Sequence, residues 1–521
     1  MADYSLLPIR LEPGLVSLES PYAAKGRFIV DPTSFTGNVR FYQGRPEKAG
    51  GFLPFSASLD SAARDSHAWA ALDGTQYLAW GTANKLWLST GGALYDITPA
   101  GMPPLGSSAN QTGFGQLGFG QYWFGGSSAS ARIGVKSQMW TLGNWGEDLI
   151  ACYWGGPLYR WVKANGTATA AITVTAAPAG MLTFFVSERD RHLVLLGASD
   201  PGKTIIADGG GPMTMAWSNT NDLATWIPSI GNNEAGNIRF EIGSTILATV
   251  GTQIGQLILT DGASYIARFA GLPYVFTTSK VSEGHDAPLG PRAIISKDGI
   301  GYWMGQDHVH AFDGMVRTLT CPVRDVVFKN IDGANAFRVC AGLNRKFGEV
   351  TFFYPDVRDG TGDNSRSVSN AADGWWLGNY GRTSWLDENV TTTLPIACGP
   401  DGKLYLHETG IDAAGVALPW SLETGAVEIG NGDQFMHVRK LLPDYQRIAG
   451  QHSVMIETYS YPMPAAGEFD IGTARTVTGS TYRISVRGRG RHMRLKWLGS
   501  SIGSDFRLGQ WRAQATVHGS R

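Results

Sequence analysis

The residues best suited to bind a metal ion are three histidines, His285, His308 and His310. Because successive side chains of a strand point to opposite faces, His308 and His310 would share one face, and imidazole is a common zinc ligand. No third ligand is recognisable beside them. The sequence therefore favours ordinary, partly buried histidines over a metal site.

An acidic segment at residues 356–364 (DVRDGTGDN) resembles a calcium-binding loop. It lacks the spacing of ligands and of glycine that an EF-hand requires. We therefore predict a solvated surface loop rather than a calcium site.

Two glycine-containing segments match the letters of known catalytic motifs. Residues 113–118 (GFGQLG) match the dinucleotide-binding pattern, but more glycine and aromatic residues follow where that pattern needs a helix. Residues 499–503 (GSSIG) match the nucleophile pattern of hydrolases, yet the next residues are typical of a turn and a strand. We predict no cofactor site at the first segment and a hairpin turn at the second.

Glycoside hydrolysis requires two carboxylates across a cleft, and no pair among the 44 acidic residues stands out. Residues 217–226 (WSNTNDLATW) partly match the Asp-box turn of sialidase-like propellers. That turn is structural where it occurs, so it supports propeller architecture more than glycosidase activity. The sequence thus predicts no catalytic residue, no cofactor-binding residue, no metal ligand and no enzyme.

The elements that must position these residues are short strands. Apolar runs with a period of about two residues dominate the chain, and most end in a turn signal such as Asp-Gly. Examples lie at residues 77–80, 85–89, 148–154, 192–196, 255–260 and 349–354. The 68 glycines, the 17 tryptophans and a charged fraction of only 17% also favour turn-rich β-structure. We predict an all-β protein in which only residues 330–339 could hold a short helix.

A loose internal repeat indicates a β-propeller. Each unit contains a strand, a short turn and a second strand with an aromatic residue, at irregular spacing. Units lie at residues 84–98, 148–162, 256–270, 299–314 and 403–410. Propeller blades bury both faces against their neighbours, which explains strands without a polar face. A large sandwich or barrel would use the same signals.

The domain organisation follows from this repeat. We predict an extended N-terminal strand segment at residues 1–55, a β-propeller at 56–420 and a β-rich, arginine-rich C-terminal domain at 421–521. Within the propeller, residues 97–131 contain no charged residue and many aromatic ones, which predicts a long loop at a surface or a subunit interface.

The charge is unevenly distributed. The net charge is −1, but residues 483–521 contain nine Lys or Arg and one acid, Asp505, so that the remainder carries about −9. Such an asymmetry indicates either a face that meets an acidic partner or phosphates, or arginines that pair with acidic loops of the same subunit. The chain as a whole is not as basic as a dedicated nucleic-acid binder.

Cysteine usage and hydropathy favour the cytoplasm as the site of synthesis. The four cysteines, Cys152, Cys321, Cys340 and Cys398, are scattered and are expected to be buried free thiols. The first residues lack the apolar core of a secretory signal, and no run of about 18 apolar residues predicts a membrane span.

Several segments together resemble the tail nozzle (tail tubular, or stabilisation-like) virion proteins of short-tailed bacteriophages. Residues 37–51 (GNVRFYQGRPEKAGG) are similar to the opening of that family, and the uncharged segment at 113–126 is similar to its glycine–tyrosine insert, with Phe in place of the more usual Tyr. Further segments follow in the order of the family: 140–150, 155–161, 217–226, 233–236, 259–261, 299–304, 312–314, 321–323, 438–444, 487–491 and 508–512.

The resemblance implies a structural subunit of the virion tail, assembled in the host cytoplasm. It would form a homohexameric ring below the portal and adaptor proteins, near tail fibres or spikes, and double-stranded DNA would pass through that ring. The arginine-rich C-terminus would face the adaptor rather than the lumen. The alternatives are a carbohydrate-binding or glycosidase-like propeller of a receptor-binding tail protein, and a monomeric bacterial interaction scaffold.

Overall fold

The computed structural model describes residues 5–17, 24–30, 37–103, 139–229, 231–387, 389–428, 432–460 and 470–518. The predicted loop at 97–131 and the GFGQLG segment therefore lie largely outside the described residues. Six strands precede the propeller repeat: β1 (Ser5–Pro8), β2 (Glu12–Ser17), β3 (Arg27–Val30), β4 (Val39–Tyr42), β5 (Arg45–Lys48) and β6 (Phe52–Pro54).

Seven four-stranded antiparallel sheets follow within the described residues, and each is one blade. The first three blades contain β7 (Asp65–Ala70), β8 (Gln76–Gly81), β9 (Leu86–Thr90) and β10 (Ala93–Asp96); β11 (Trp140–Trp145), β12 (Asp148–Tyr153), β13 (Tyr159–Trp161) and β14 (Ile172–Thr173); and β15 (Thr183–Ser187), β16 (His192–Leu196), β17 (Thr214–Trp217) and β18 (Gly236–Arg239).

The next three contain β19 (Ile246–Gly251), β20 (Gln256–Thr260), β21 (Ala263–Gly271) and β22 (Val275–Glu283); β23 (Ile294–Lys297), β24 (Ile300–Met304), β25 (Val309–Phe312) and β26 (Val316–Thr318); and β27 (Cys340–Asn344), β28 (Glu349–Tyr354), β29 (Arg366–Ala371) and β30 (Gly374–Gly378). The seventh contains β31 (Ser384–Leu386), β32 (Ile396–Cys398), β33 (Leu404–His407) and, as its outermost strand, β6.

The ring closes through a strand that comes from far away in the sequence. The inner strands β7, β11, β15, β19, β23, β27 and β31 are neighbours in turn, and β31 lies beside β7. Strand β6 pairs with β33, so that Leu53 lies opposite Leu406. The N-terminal side of the chain thus supplies the last strand of the last blade. The chain is an all-β protein built on a seven-bladed propeller, which confirms the predicted fold class.

The core is divided into apolar layers between consecutive blades. One layer combines Trp69 and Leu88 of the first blade with Trp140 and Trp161 of the second. Another combines Trp217 of the third blade with residues of the fourth. Because both faces of each blade are packed, burial of aromatic residues on both sides of a strand is stabilising here.

The remaining strands form three sheets from both ends of the chain. They are β34 (Trp420–Thr424), β35 (Val427–Glu428), β36 (Phe435–Leu442), β37 (Tyr445–Ala449), β38 (His452–Tyr459), β39 (Asp470–Ile471), β40 (Arg475–Val477), β41 (Ile484–Gly490), β42 (His492–Gly499), β43 (Asp505–Leu508) and β44 (Arg512–His518). The sheet orders are β1-β44-β36-β41, β2-β3-β34-β42-β38-β39 and β37-β43-β5-β4, while β35 pairs with β42 and β40 with β38. We call this unit the terminal sheets.

Helical structure is sparse, and the predicted helix was misplaced. Among the described residues the α-helix α1 spans Arg324–Phe328, ahead of residues 330–339, and that range holds only the 3-10 turn Ala336–Arg338. The Asp-Gly pair at residues 332–333 forms a turn instead, because Asp332 accepts a hydrogen bond from the amide of Ala334. Two further 3-10 turns span Lys163–Asn165 and Val357–Asp359.

Candidate functional site

Four arginines stand one or two residues before an inner strand. They are Arg64, Arg292, Arg338 and Arg382, ahead of β7, β23, β27 and β31, and we call them the strand-start arginines. Three of them are buried, whereas the Arg292 side chain is about one third exposed. A buried guanidinium requires a partner, so the groups around these four show what holds this end of the propeller together.

Arg292 and Asp65 form an ion pair between blades that are not neighbours. Arg292 leads into the fifth blade, and Asp65 begins the inner strand of the first. The other Asp65 carboxylate oxygen accepts a hydrogen bond from the amide of Leu142 in the second blade, at 2.8 Å. Burial raises the pKa of Asp65 to about 6, against the opposing effect of Arg292. Because the pair joins the first and fifth blades, it crosses the central channel of the propeller.

The acidic segment at 356–364 is part of the same framework. Asp363 accepts two hydrogen bonds from Arg64, and Asn364 donates to the carbonyl oxygens of Arg338 and Arg382 at 2.9 and 2.8 Å. The carboxylate of Asp356 is buried and accepts from Arg358. The prediction of a solvated loop holds only for residues 357–361, which are exposed, since Asp356 and Asn364 are buried and arginines pair with the carboxylates of Asp356 and Asp363.

A second buried charge cluster joins the terminal sheets to the propeller. Arg40 of β4 is 1% exposed and forms ion pairs with Glu349 of the sixth blade and with Glu408, just after β33. Trp376 donates its indole N–H to Glu349 at 3.0 Å, and the ring of Phe347 lies 3.8 Å from the Arg40 guanidinium carbon. Burial raises the pKa of Glu349 to about 7, while Arg40 opposes that shift. We call this the junction cluster.

Lys48 makes a further connection across the junction. Its ammonium group donates to the carbonyl oxygens of Ile411 and Ser504 at 2.6 and 2.7 Å, and the residue is 2% exposed. Burial lowers its pKa. The junction is therefore held by charge-assisted hydrogen bonds from two neighbouring strands, β4 and β5, which fix the terminal sheets against the sixth and seventh blades.

The three histidines singled out in the sequence lie close together. His308 Nδ1 is 3.1 Å from Asp286 Oδ2, and His310 Nε2 is 3.6 Å from the same oxygen. The His310 ring stacks on Trp303, and the His285 ring packs edge-on against the same indole. Burial lowers the pKa of His285 and of His310. Within the described part of the chain, no group of three or more candidate ligands could hold a metal ion.

Residues 499–503 form a turn, but not a hairpin turn. The flanking strands β42 and β43 belong to different sheets, which corrects the prediction. Ser501 donates its hydroxyl to the carbonyl oxygen of Gln451 at 3.0 Å, and the amide of Gly503 donates to the Asp412 carboxylate. These contacts give the GSSIG segment a structural role, since the turn carries the chain from one terminal sheet to the next.

Residues 217–226 form the end of β17 and the first part of its connection to β18. The amide of Asn219 donates to the carbonyl oxygen of Thr225, and Asp222 accepts from the amide of Ala224. Trp226 is buried and donates its indole N–H to the carbonyl oxygen of Leu223 at 2.8 Å. The segment is thus a compact turn anchored by a buried tryptophan, which agrees with a structural role.

The terminal sheets contain a groove of about 360 Å³. Arg10, Arg45 and Gln43 line it together with the indoles of Trp497 and Trp511, and none of its lining residues is acidic. Both tryptophans are buried, so their ring faces are not open for stacking. The groove therefore lacks the carboxylate pair and the exposed aromatic platform that a sugar-cleaving site needs.

The cations of the C-terminal segment follow two patterns. Arg494 and Lys496 lie 3.8 and 3.7 Å from the carboxylate of Glu423, and Arg507 lies 3.4 Å from that of Glu47. Those three cations are paired with acids of the same chain. The second group is an outward-facing row on β41 that includes Arg487. Pairing with acids of the same subunit is therefore confirmed for part of the segment, and the partner of the exposed row stays a prediction.

All four cysteines are free thiols, three of them buried and Cys321 partly exposed. Burial raises the pKa of the Cys321 thiol to about 12 and the Cys398 thiol to about 11, so neither is a nucleophile near neutral pH. In the described ranges, no helix is long and apolar enough to cross a membrane.

Comparison with known proteins gives structural neighbours only. No protein-family model and no curated protein matches the chain. The computationally designed Ika8 protein is 11% identical over 69% of this chain and 99% of that chain, with a TM-score of 0.34. The β-propeller domain of Cps50 (Swd1) from Myceliophteria thermophila is 10% identical over 70% and 100%, with a TM-score of 0.36. BBS1N, solved in complex with ARL6DN, is 11% identical over 69% and 96%, with a TM-score of 0.38.

Proposed function

We propose that the chain is a structural subunit of the tail nozzle of a short-tailed bacteriophage, without catalytic activity. The ordered resemblance of segments along most of the sequence suggests this family. The observation that carries the structural role is the pairing of buried carboxylates with arginines, as in Asp65–Arg292 and Asp363–Arg64. In both pairs the two carboxylate oxygens are already engaged by arginine or backbone N–H groups, which favours a role in holding the blades together over acid–base chemistry.

The Asp65–Arg292 pair bears on the route for DNA. Because this pair joins the first and fifth blades across the centre of the propeller, double-stranded DNA would pass through the lumen of a ring of subunits and not through any single propeller. We propose a homohexamer, since rings arise from heterologous contacts that close by rotation. The ring would lie below the portal and adaptor proteins and beside tail fibres or spikes, in a virion assembled in the host cytoplasm.

The buried charged contacts at the junction support a structural role of this kind. The junction cluster and Lys48 fix the terminal sheets against two blades through buried charged groups. A subunit of a conduit must keep its shape while it contacts neighbours on several sides. Buried ion pairs and hydrogen bonds favour a single relative position of the two parts over a flexible linkage.

The rival carbohydrate reading receives less support. Sugar-binding platforms present exposed aromatic rings, but every tryptophan in the described residues is buried or only partly exposed. The partly exposed ones are Trp87, Trp145 and Trp385. In the part of the chain that the structure describes, tryptophan is therefore mainly a core residue. The strongly exposed tyrosines Tyr274 and Tyr482 belong to different units, the fourth blade and the terminal sheets. Incubation of the purified protein with host polysaccharide should give neither binding nor cleavage.

A nonsense codon tests the nozzle proposal directly. In the phage that encodes the chain, a nonsense codon at Gln43 would be propagated in suppressing and non-suppressing hosts. We expect non-suppressing hosts to yield non-infectious particles without a nozzle, and a plasmid copy of the wild-type gene to restore a hexameric ring visible by electron microscopy. Intact infectious particles that lack the protein would refute the proposal.

A further inference from the structure

One of the terminal sheets contains no acidic residue in any of its four strands, β1, β44, β36 and β41. These strands contain five Lys or Arg residues: Arg439, Lys440, Arg487, Arg489 and Arg512. We call this set the basic face. With strands about 4.8 Å apart and a rise of about 3.4 Å per residue, it covers roughly 14 by 24 Å.

The cations lie on the outward side of that sheet. On β41, buried Ile484, Val486, Gly488 and Gly490 alternate with exposed residues, so Arg487 and Arg489 point outward. Cross-strand partners share a side of the sheet.

The neighbouring strands follow the same alternation. Leu441 lies opposite both Ile484 and Ala513, and all three are buried. Lys440 and Arg512, each next in sequence to one of these buried residues, therefore face outward with the arginines of β41.

Three members of the basic face have no ion-pair partner in the described ranges. They are Lys440, Arg487 and Arg512, whereas the nearby Arg494 and Lys496 share the carboxylate of Glu423. No acid on any strand of this sheet is available to neutralise the three. A solvent-exposed array of like charges is unfavourable to the isolated subunit and becomes favourable when an oppositely charged surface covers it.

We propose that the basic face docks an acidic surface of another protein. Guanidinium forks bind carboxylates in a bidentate manner, and arginine is enriched in protein interfaces. The same side of the sheet ends in apolar residues of β1, where Leu6 is 50% exposed and Pro8 is exposed, so the face combines charge with apolar area as protein interfaces do. A nucleic-acid partner is disfavoured because the pI of the chain is about 6.8 and nucleic-acid-binding domains are usually strongly basic.

Binding to defined polyanions tests this proposal. The full-length protein would be titrated into labelled poly-L-glutamate and, separately, into a labelled DNA duplex, at about 0.15 M salt. The test variant carries Lys440→Glu, Arg487→Glu and Arg512→Glu. A matched control carries Arg189→Glu, Lys203→Glu and Arg239→Glu, which change the same charge at exposed positions of the third blade.

We expect the wild type and the control to bind poly-L-glutamate alike, and the test variant to bind at least about tenfold more weakly. Thermal melting of both variants close to that of the wild type would show that the fold is intact; if the reversed variant melts lower, the Gln versions of the same positions would replace it. Equal binding by the test variant would overturn the proposal. So would DNA binding that depends on these residues while poly-L-glutamate binding does not.

The docking proposal does not depend on the nozzle proposal, and each can be refuted without the other. A protein that is absent from phage particles yet binds poly-L-glutamate through the basic face would refute the nozzle and leave the docking surface standing. A nozzle ring that assembles with the three reversed charges and shows no change in poly-L-glutamate binding would refute the docking surface alone.

Discussion

Arg64 and Asp363 form a bidentate ion pair, with Nη1–Oδ1 and Nη2–Oδ2 distances of 2.7 and 2.6 Å. Arg64 leads into the first blade, and Asp363 lies in a loop of the sixth. The pair therefore reaches past the seventh blade and ties together the two blades on either side of it. Burial opposes ionisation of Asp363, but Arg64 and Arg338 outweigh that effect and lower its pKa.

Asp363→Asn should be strongly destabilising. The substitution leaves the buried guanidinium of Arg64 without its carboxylate, and loss of one partner of a buried ion pair costs about 3 to 5 kcal/mol. Urea denaturation at pH 7 would measure the change in the free energy of unfolding. The same change at Asp325, whose exposed carboxylate pairs with Lys329, should leave the free energy of unfolding nearly unchanged. Equal effects at the two positions would contradict a structural role for the Arg64–Asp363 pair.

Phe52→Ala should weaken closure of the propeller. Phe52 on β6 is buried against the rings of Tyr405 and His407, and the Arg382 guanidinium carbon lies 4.3 Å from the centre of its ring. Loss of a buried phenylalanine costs about 3 to 5 kcal/mol.

Leu53 on the same strand provides the control for Phe52. It faces outward and is 44% exposed, so Leu53→Ala should change the free energy of unfolding by less than about 1 kcal/mol. Limited proteolysis should cut the Phe52→Ala protein near the seventh blade first. A variant as resistant as the wild type would show that β6 does not close the ring.

Local signals predicted the strands, whereas long-range pairing decided the architecture. The repeat units at 148–162 and 256–270 coincide with middle strands of the second and fourth blades, because alternation and tight turns are properties of neighbouring residues. The seventh blade obtains its fourth strand from β6, which pairs with a strand that follows it by about 350 residues. No local pattern indicates that partner.

The buried charged residues were not predicted from the sequence. The strand-start arginines recur at nearly the same position in four blades, and an alignment of the repeats could have detected that recurrence. Whether an arginine is buried nevertheless depends on segments that are distant in the sequence. Asp363, for example, lies almost 300 residues after Arg64. The basic face was easier to anticipate, because alternation on β41 alone places Arg487 and Arg489 outward.

Gly342→Ala should disturb the contact between the sixth and seventh blades. A Cβ atom at Gly342 would lie 2.6 Å from Cγ of Trp385, whose indole N–H is fixed by the carbonyl oxygen of Leu343. Because the ring cannot move without losing that bond, we expect a cost of about 1 to 3 kcal/mol by chemical denaturation. Gly333→Ala, where nothing lies within 4 Å, should be close to neutral. A neutral Gly342→Ala protein would mean that the blades separate easily.

Ionisation of Glu349 should lower the free energy of unfolding of the protein as the pH rises. Burial raises its pKa from 4.5 to about 7, so between these values the folded state binds a proton that the unfolded state has released. Folding is therefore favoured at the lower pH, and stability is lost as the pH rises through about 7. Between pH 6 and pH 8 this group accounts for a loss of roughly 1 kcal/mol.

The variant Glu349→Gln isolates that contribution, because the amide oxygen can still accept the hydrogen bond from Trp376 but the side chain no longer titrates. Unfolding free energies of wild type and variant would be compared at pH 6 and pH 8, so that the other titrating groups cancel in the difference. The variant should lose less stability across this range, while Glu12→Gln, at an exposed carboxylate, should follow the wild type. If Glu349→Gln retains the full pH dependence, Glu349 is ionised throughout the range and Arg40 outweighs burial in the junction cluster.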